Sequence, residues 1–386
     1  PIDVAEGSEP PADAIVQNQQ IVYDGEKVEA TVWDRSKISK AGYKISGPAV
    51  VTEMDSNTLI LPGYVGEVDL MGNLIITAID HSQEEKKLVH TPESATKLVQ
   101  ESPLISTLIS SALASIRREM DTMMLRCAMS PAIREQQDEF NVITNTAGKM
   151  LVGQFGSFIT QFLSMWKGTI EEGDVFVTND SYQIQGAVSH LNDVIILLPI
   201  WHQHKLVGWS ANFGHLTDVQ GKVPGSMSIN ASTIFEDGLQ IPCVKLYNKG
   251  VYNEALVEIF CRNSRLPEWF ESDLTALVAA CRTAANRVCE LCDRYGLEVY
   301  TAACDDLLER DRAAIAHLID TKIGTERSSF TDFVDDDGHG IGPWNITCSM
   351  YKEGDKLILD WDGTSPQSNT SMNYYLSTTM FKMFIG

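Results

Sequence analysis

The chain changes its hydrophobic rhythm twice. Over residues 1–77, short runs of Val, Ile and Leu are cut by Gly, Pro and Asp at strand-length intervals, as in VYDGEKVEATVWD and GPAVVTEMDSNTLILPGYVGEVDLMGNLIIT. That pattern predicts a β-rich domain. From about Asp80 to Ser102 the chain turns polar, HSQEEKKLVHTPESATKLVQES, and Pro103 closes the stretch. It reads as a linker. A second unit opens at Leu104, where Ile105, Leu108, Ile109, Leu113, Ile116, Met120 and Met123 recur at helical spacing. SPAIREQQDEF follows as a polar loop. Strand-like NVITN, GDVFVTND, DVIILLPI and KLVGWSANFG then mix with helices expected over Glu254–Phe260, Ser272–Tyr295 and Leu297–Asp320. The last segment returns to strands, with YKEGDKLILDWDGTSPQ as a hairpin around Glu353-Gly354. The expected fold is α+β, mixed and multidomain: a β-rich domain over 1–80, a linker over 81–103, a mixed α/β core over 104–320, and a truncated β-rich segment over 321–386.

Composition narrows the function classes. At 386 residues the length suits two or three domains of ~150 residues. With 44% hydrophobic and 21% charged residues, collagen, coiled coil and wholesale disorder are excluded. Fifty-two acidic against thirty basic residues give a net charge of −22, which repels phosphate backbones and anionic lipids, so neither nucleic acid nor membrane is an expected partner. The longest apolar run, Val194–Trp201, falls short of the ~18 residues of a membrane span. The chain opens at Pro1 without a basic or apolar leader and stops after TTMFKMF, so it reads as an excerpt of a longer protein without a signal peptide. Its 8 cysteines then read as reduced thiols of a cytoplasmic enzyme. Cys289-x-x-Cys292 lies inside one predicted helix with no second pair nearby, which suits two half-buried helix cysteines better than zinc.

Several catalytic signatures are absent: no phosphate-binding glycine loop of either common type, and no G-x-S-x-G. Asp335-Asp336-Asp337-Gly338 fails as a calcium loop, because Phe333 and Trp344 fall where the first and last ligands belong. What remains is His190-Leu-Asn-Asp193 together with His215-Leu-Thr-Asp218. Two apolar strands separated by Trp201–His204 make a hairpin whose turn, centred near residue 203, would set Leu191 opposite His215 and Asp193 opposite Phe213. Both polar clusters then share one end, with His190 in the loop before the strand. Two imidazoles and a carboxylate suit an open divalent-metal site, with Asp218 or the Asn179-Asp180 pair orienting the imidazoles. The plainer reading is polar residues at hairpin ends. In the loop Ser130–Phe140, Arg134 suits a carboxylate or phosphate, and Glu135 or Asp138 suits a base; a solvated loop is the alternative.

RCAMSPAIREQQDEF, VTNDSY, the two H-x-x-D motifs, PGSM, FEDGLQIPCVKL and DWDGTSPQ, in this order, resemble the hydantoinase B/oxoprolinase family from about Leu104 onward. Residues 1–77 resemble the C-terminal β-region of the partner A subunit, as in an A–B fusion. The resemblance implies an ATP–Mg site in an A-like region outside this segment, which phosphorylates a lactam or an enolised ketone. The activated substrate then passes to a B-like part carrying a divalent metal (Mn, Zn or Fe) on His190, Asp193 and His215. It also implies a multi-subunit assembly. Three positions depart from the family pattern: Ala187-Val188-Ser189 replaces Gly-Gly-Thr, Leu216 replaces a second histidine, and Gln161 replaces another. The expected function is therefore an ATP-dependent cyclic-amide hydrolase. The alternatives are an ATP-dependent ketone carboxylase, favoured by Leu216, and a non-catalytic scaffold for the A-like part, favoured by Gln161.

Overall fold

A computed structural model describes residues 2–79 except 6 and 24, residues 90–373 except 155 and 355, and residue 375. The chain divides into two compact units, Pro1–Leu88 and Val89–Gly386.

The first unit is built from β1 (Ile15–Tyr23), β2 (Glu26–Asp34), β3 (Lys44–Ser46), β4 (Ala49–Thr52), β5 (Asn57–Ile60), β6 (Tyr64–Val68) and β7 (Leu74–Ala78). These pair as a four-stranded sheet, β1-β2-β4-β5, and a three-stranded sheet, β3-β6-β7. Alternate residues Ala49 and Val51, with Ile45, Ile60 and Val68, point inward into one small core.

The second unit begins with α1 (Pro92–Glu101), which falls inside the stretch read as linker. Thr91 caps it through Ser94 N, Pro92 opens its first turn, and Ala95 and Val99 are buried. A helix with two buried positions among charged neighbours looks like linker from composition. There follow α2 (Pro103–Cys127), the short α3 (Pro131–Arg134), β8 (Glu139–Thr144), β9 (Met150–Val152), α4 (Ile159–Met165), β10 (Val175–Thr178), β11 (Asp193–His202) and β12 (Lys205–His215). Then come α5 (Ile234–Asp237), β13 (Val244–Asn248), β14 (Val251–Tyr252), α6 (Glu254–Arg262), α7 (Pro267–Tyr295), α8 (Leu297–Lys322), β15 (Ser328–Val334), β16 (Trp344–Glu353) and β17 (Lys356–Asp360).

Seven strands form an antiparallel sheet in the order β14-β13-β10-β11-β12-β8-β9. β11 runs through its middle and is buried on both faces, which is why its sequence is almost continuously apolar. Val194, Ile196, Leu198 and Ile200 join the helical core of α2, α6, α7 and α8; Ile195 and Leu197 join a second core with Phe162, Phe176 and Trp209. β12 presents Gly208, Ser210, Asn212 and Gly214 on alternate positions. A Cβ at Gly214 would stand 2.7 Å from Ile133 and 3.2 Å from Leu277. The small residues thus let α7 approach closely, and Asn212 Nδ2 donates to Leu277 O at 2.9 Å. β15, β16 and β17 form a separate three-stranded sheet. No helix among the described residues is long and apolar enough to cross a membrane.

Candidate metal centre

The hairpin register decides the site. Gln203 and His204 make the turn with φ of 48° and 63°, both in the left-handed region, and a bulge between Ile200 and Trp201 shifts the pairing by one more residue. Asp193 therefore lies directly opposite His215, not opposite Phe213 as the sequence suggested. His190 sits in the loop before β11, as expected, and its carbonyl accepts from Asp193 N at 3.3 Å.

His190 Nε2, His215 Nδ1 and Asp193 Oδ1 form a triangle with all three edges 3.1 Å. This is the one group of three metal-capable donors found among the described residues. Donors ~2.1 Å from a shared ion and 3.1 Å apart subtend nearly right angles, the face of an octahedron, so the donor set and its spacing fit a divalent cation. Ser189 Oγ lies 2.9 Å from His190 Nδ1, which frees Nε2 for the triangle. Side-chain exposure falls from 30% at His190 to 17% at His215 and 8% at Asp193, so the cluster opens on the His190 side.

The charges interlock. Burial works to raise the Asp193 pKa, but hydrogen bonds from His190 and His215 outweigh it and hold the carboxyl below its usual range. Burial works to lower that of His190; the bond to Asp193 and the charges of Asp193, Asp138 and Asp237 reverse the direction. Asp138 is raised by burial and by Asp193, with the two histidines opposing, and its Oδ2 lies 3.6 Å from His215 Nδ1.

Other predicted residues have different posts. Arg134 and Glu135 are exposed at the end of α3. Asp218 does not orient the imidazoles: its carboxylate accepts from the backbone of Gln220, Gly225 and Arg265 at 3.0, 3.0 and 3.1 Å and from the Arg265 guanidinium at 2.9 Å. It closes the loop that follows β12. Asn179 likewise clamps backbone, donating to Leu191 O and Leu239 O and accepting from Ile241 N. Gln161 is buried on α4, with its Oε1 accepting from Thr160 at 2.8 Å. His202, at the turn end of β11, is buried, and His81 lies outside the described residues. Cys289 is half-buried and Cys292 buried within α7.

Two supports escaped sequence reading. Asp273 of α7, fully buried, accepts from Ser130 Oγ and from Met129 N, while Thr217 N donates to Ser130 Oγ at 2.9 Å. A long helix thereby grips both the SPAIRE segment and the residues just after His215. The second is Asp237. A capping box between Thr233 and Glu236 starts α5, and Asp237 at its end faces a cavity of about 920 Å³ that His190 also lines. Tyr182, Trp344, Trp361 and Tyr375 supply aromatic wall. The signal was the acidic pair inside FEDGLQIP, but nothing in the sequence tells which of Glu236 and Asp237 turns inward.

Comparison with known proteins agrees with this architecture. The sequence model of hydantoinase B/oxoprolinase matches residues 102–386, and that of the hydantoinase/oxoprolinase C-terminal domain matches residues 1–71. The caprolactamase subunit beta of Pseudomonas jessenii is 29% identical over 294 residues, covering 74% of this chain and 50% of that protein. The acetophenone carboxylase delta subunit of Aromatoleum aromaticum is 27% identical over 263 residues, covering 64% and 37%. A crystal structure of the ATP-dependent caprolactamase from Pseudomonas jessenii superposes with a TM-score of 0.65 at 26% identity, over 73% of this chain and 49% of that one. The chain spans half or less of the length of the curated relatives it matches, 50% of the caprolactamase subunit and 37% of the acetophenone carboxylase subunit.

Proposed function

This chain belongs to the hydantoinase B/oxoprolinase family, and from that premise we propose that it is part of an ATP-dependent cyclic-amide hydrolase whose divalent metal is held by His190, Asp193 and His215. The observation that carries this reading is the 3.1 Å triangle of donor atoms, open toward a cavity large enough for a small ring. The likeness to caprolactamase supports lactam chemistry.

A divalent ion at these donors (Mn, Zn or Fe) supplies Lewis acidity and a water of lowered pKa. The chain's own residues do the rest. Ser189 fixes the His190 ring, and the two imidazoles keep Asp193 ionised. Asp138, raised by burial and standing beside His215, is poised to accept or return a proton. The exposed Arg134 is assigned to holding a phosphate or carboxylate group, and the exposed Glu135 stands as the alternative base to Asp138. The phosphorylated substrate comes from an A-like, ATP–Mg-binding region or subunit, and the working protein is an oligomer in the cytoplasm.

A second reading, ATP-dependent ketone carboxylation, is favoured by Leu216 beside His215 and by the likeness to the acetophenone carboxylase subunit. Elemental analysis of the full-length protein after mild chelation, wild type beside Asp193→Ala, tests the metal. Near-stoichiometric metal lost in the variant supports the assignment, and equal negligible metal in both overturns it in favour of the scaffold reading. Bicarbonate-dependent ATP turnover would select the carboxylase.

A further inference from the structure

We propose that Asp273 is a positioning residue for the metal centre: from helix α7 it fixes, through Ser130, where His215 presents its ring nitrogen. This rests on the reading of the donor triangle as a metal site.

The Asp273 carboxylate is fully buried and gathers three donors: Met129 N, Ser130 N at 3.2 Å, and Ser130 Oγ. Ser130, itself 1% exposed, is saturated by this contact. Its one O–H goes to Asp273, and its two lone pairs accept from Thr217 N at 2.9 Å and from Thr217 Oγ1 at 3.0 Å. A hydroxyl with every bond taken has one orientation. Thr217, two residues past His215, is therefore pinned from the helix.

A second chain of bonds leaves the same anchor and reaches His215 from another side. Ser130 opens α3, where Arg134 N donates to Ser130 O at 3.0 Å and Asp138 N donates to Ala132 O at 2.9 Å. His215 N in turn donates to Asp138 O at 3.1 Å, and Asp138 Oδ2 stands 3.6 Å from His215 Nδ1. Both routes start at Asp273 and end on the backbone around one ligand. Metal ligands keep their aim through such outer partners, and losing one typically costs roughly 10–100-fold in metal affinity.

The position calls for a carboxylate. An asparagine amide has one accepting oxygen for three donors and would turn N–H groups toward them. The docking of α7 has an anchor of its own: Asn212 Nδ2 donates to Leu277 O at 2.9 Å, and Leu277 lies against Gly214. Loss of the Asp273 bonds thus loosens His215 without undocking the helix.

The test is binding of Mn2+ and Co2+ to the full-length protein. Affinity is read from the EPR signal of free Mn2+, and site symmetry from the fine structure of bound Mn2+ and the visible bands of bound Co2+. Ser130→Ala and Asp273→Asn should each weaken Mn2+ binding about tenfold and change both spectra. Asn212→Ala breaks the other bond between α7 and β12; it should lower Tm, keep Mn2+ affinity within about twofold and leave both spectra unchanged. A merely structural Asp273 would lower Tm in all three variants and leave the spectra of the bound ions alone. If Asp273→Asn does not fold, Ser130→Ala decides, because it removes the link and keeps the buried carboxylate on two backbone donors. Unchanged affinity and spectra in Ser130→Ala, or an equal change in Asn212→Ala, overturn the proposal and leave the metal reading standing. A wild type that binds neither ion overturns both.

Discussion

Two histidines meet carboxylates at each end of the β11–β12 hairpin, and the two ends are built differently. At the open end, His190, His215 and Asp193 bring three atoms within 3.1 Å of one another. At the turn end, His202 reaches Asp293 at 3.7 Å from a buried position, while His204 pairs with Glu172 at 2.9 Å in solvent. The carboxylates at the turn end come from α7 and from the loop before β10, not from the hairpin, but the residue types are the same. Convergence is not, because at the open end paired strands and a preceding loop aim three side chains at one point, whereas at the turn the imidazoles diverge to opposite partners. Composition alone does not gather three donor atoms at one point; register does.

The largest effect should come from exchanging the ends. Asp193→Ala should lower metal affinity by more than the ~100-fold typical of losing a supporting residue, while His202→Ala leaves metal content unchanged. Elemental analysis of both variants decides this, and equal loss in both would erase the distinction.

Next comes the grip on the open end. Asp273→Ala strips acceptors from Ser130 and Met129 in a buried setting, and should cost about 2–4 kcal/mol of unfolding free energy in urea titration. Asp293→Ala, at the turn end, should cost far less.

A smaller, pH-dependent effect belongs to Glu139, paired opposite Gly214 and bonded to Asn141 Nδ2 at 2.7 Å. Burial, helped by the Asp121 charge and opposed by Arg117, pushes its carboxyl up to about 8. The folded chain then holds a proton that the unfolded chain releases near 4.5, so this residue's contribution to stability falls as pH rises from 4.5 to about 8. Glu139→Gln should flatten that slope and stabilise the protein by about 1–3 kcal/mol at the upper end of the window, read from melting curves across pH. A steeper slope in the variant would contradict the assignment. The smallest effect is His204→Ala: the pair is solvent-exposed, and Tm should not move within error.

Much of this was legible in the sequence. The amphipathic period of α2, the apolar run of β11 and the Gly-containing β16–β17 turn are local signals. That His190, Asp193 and His215 gather at one end of the hairpin was readable because the hairpin's polar ends are short and unmistakable. The register was not, since a turn on Gln203 and His204 uses non-glycine residues at positive φ and the Ile200 bulge leaves no compositional mark. Asp218 misled for a related reason: its spacing from His215 copies that of Asp193 from His190, but its loop turns it to Arg265. Asp273 bonds Ser130 from 143 positions away, and no local pattern encodes that pairing.

The cavity also has a history in time. Its first wall is drawn from residues 181–237 and its second from residues 334–375, with α6, α7 and α8 lying between them in the chain. On the ribosome, all three residues of the donor triangle have emerged once His215 has. The enclosure around it must wait for a distant sheet to arrive. A nascent chain therefore owns its ligand set well before it owns a chamber, and the door is hung last.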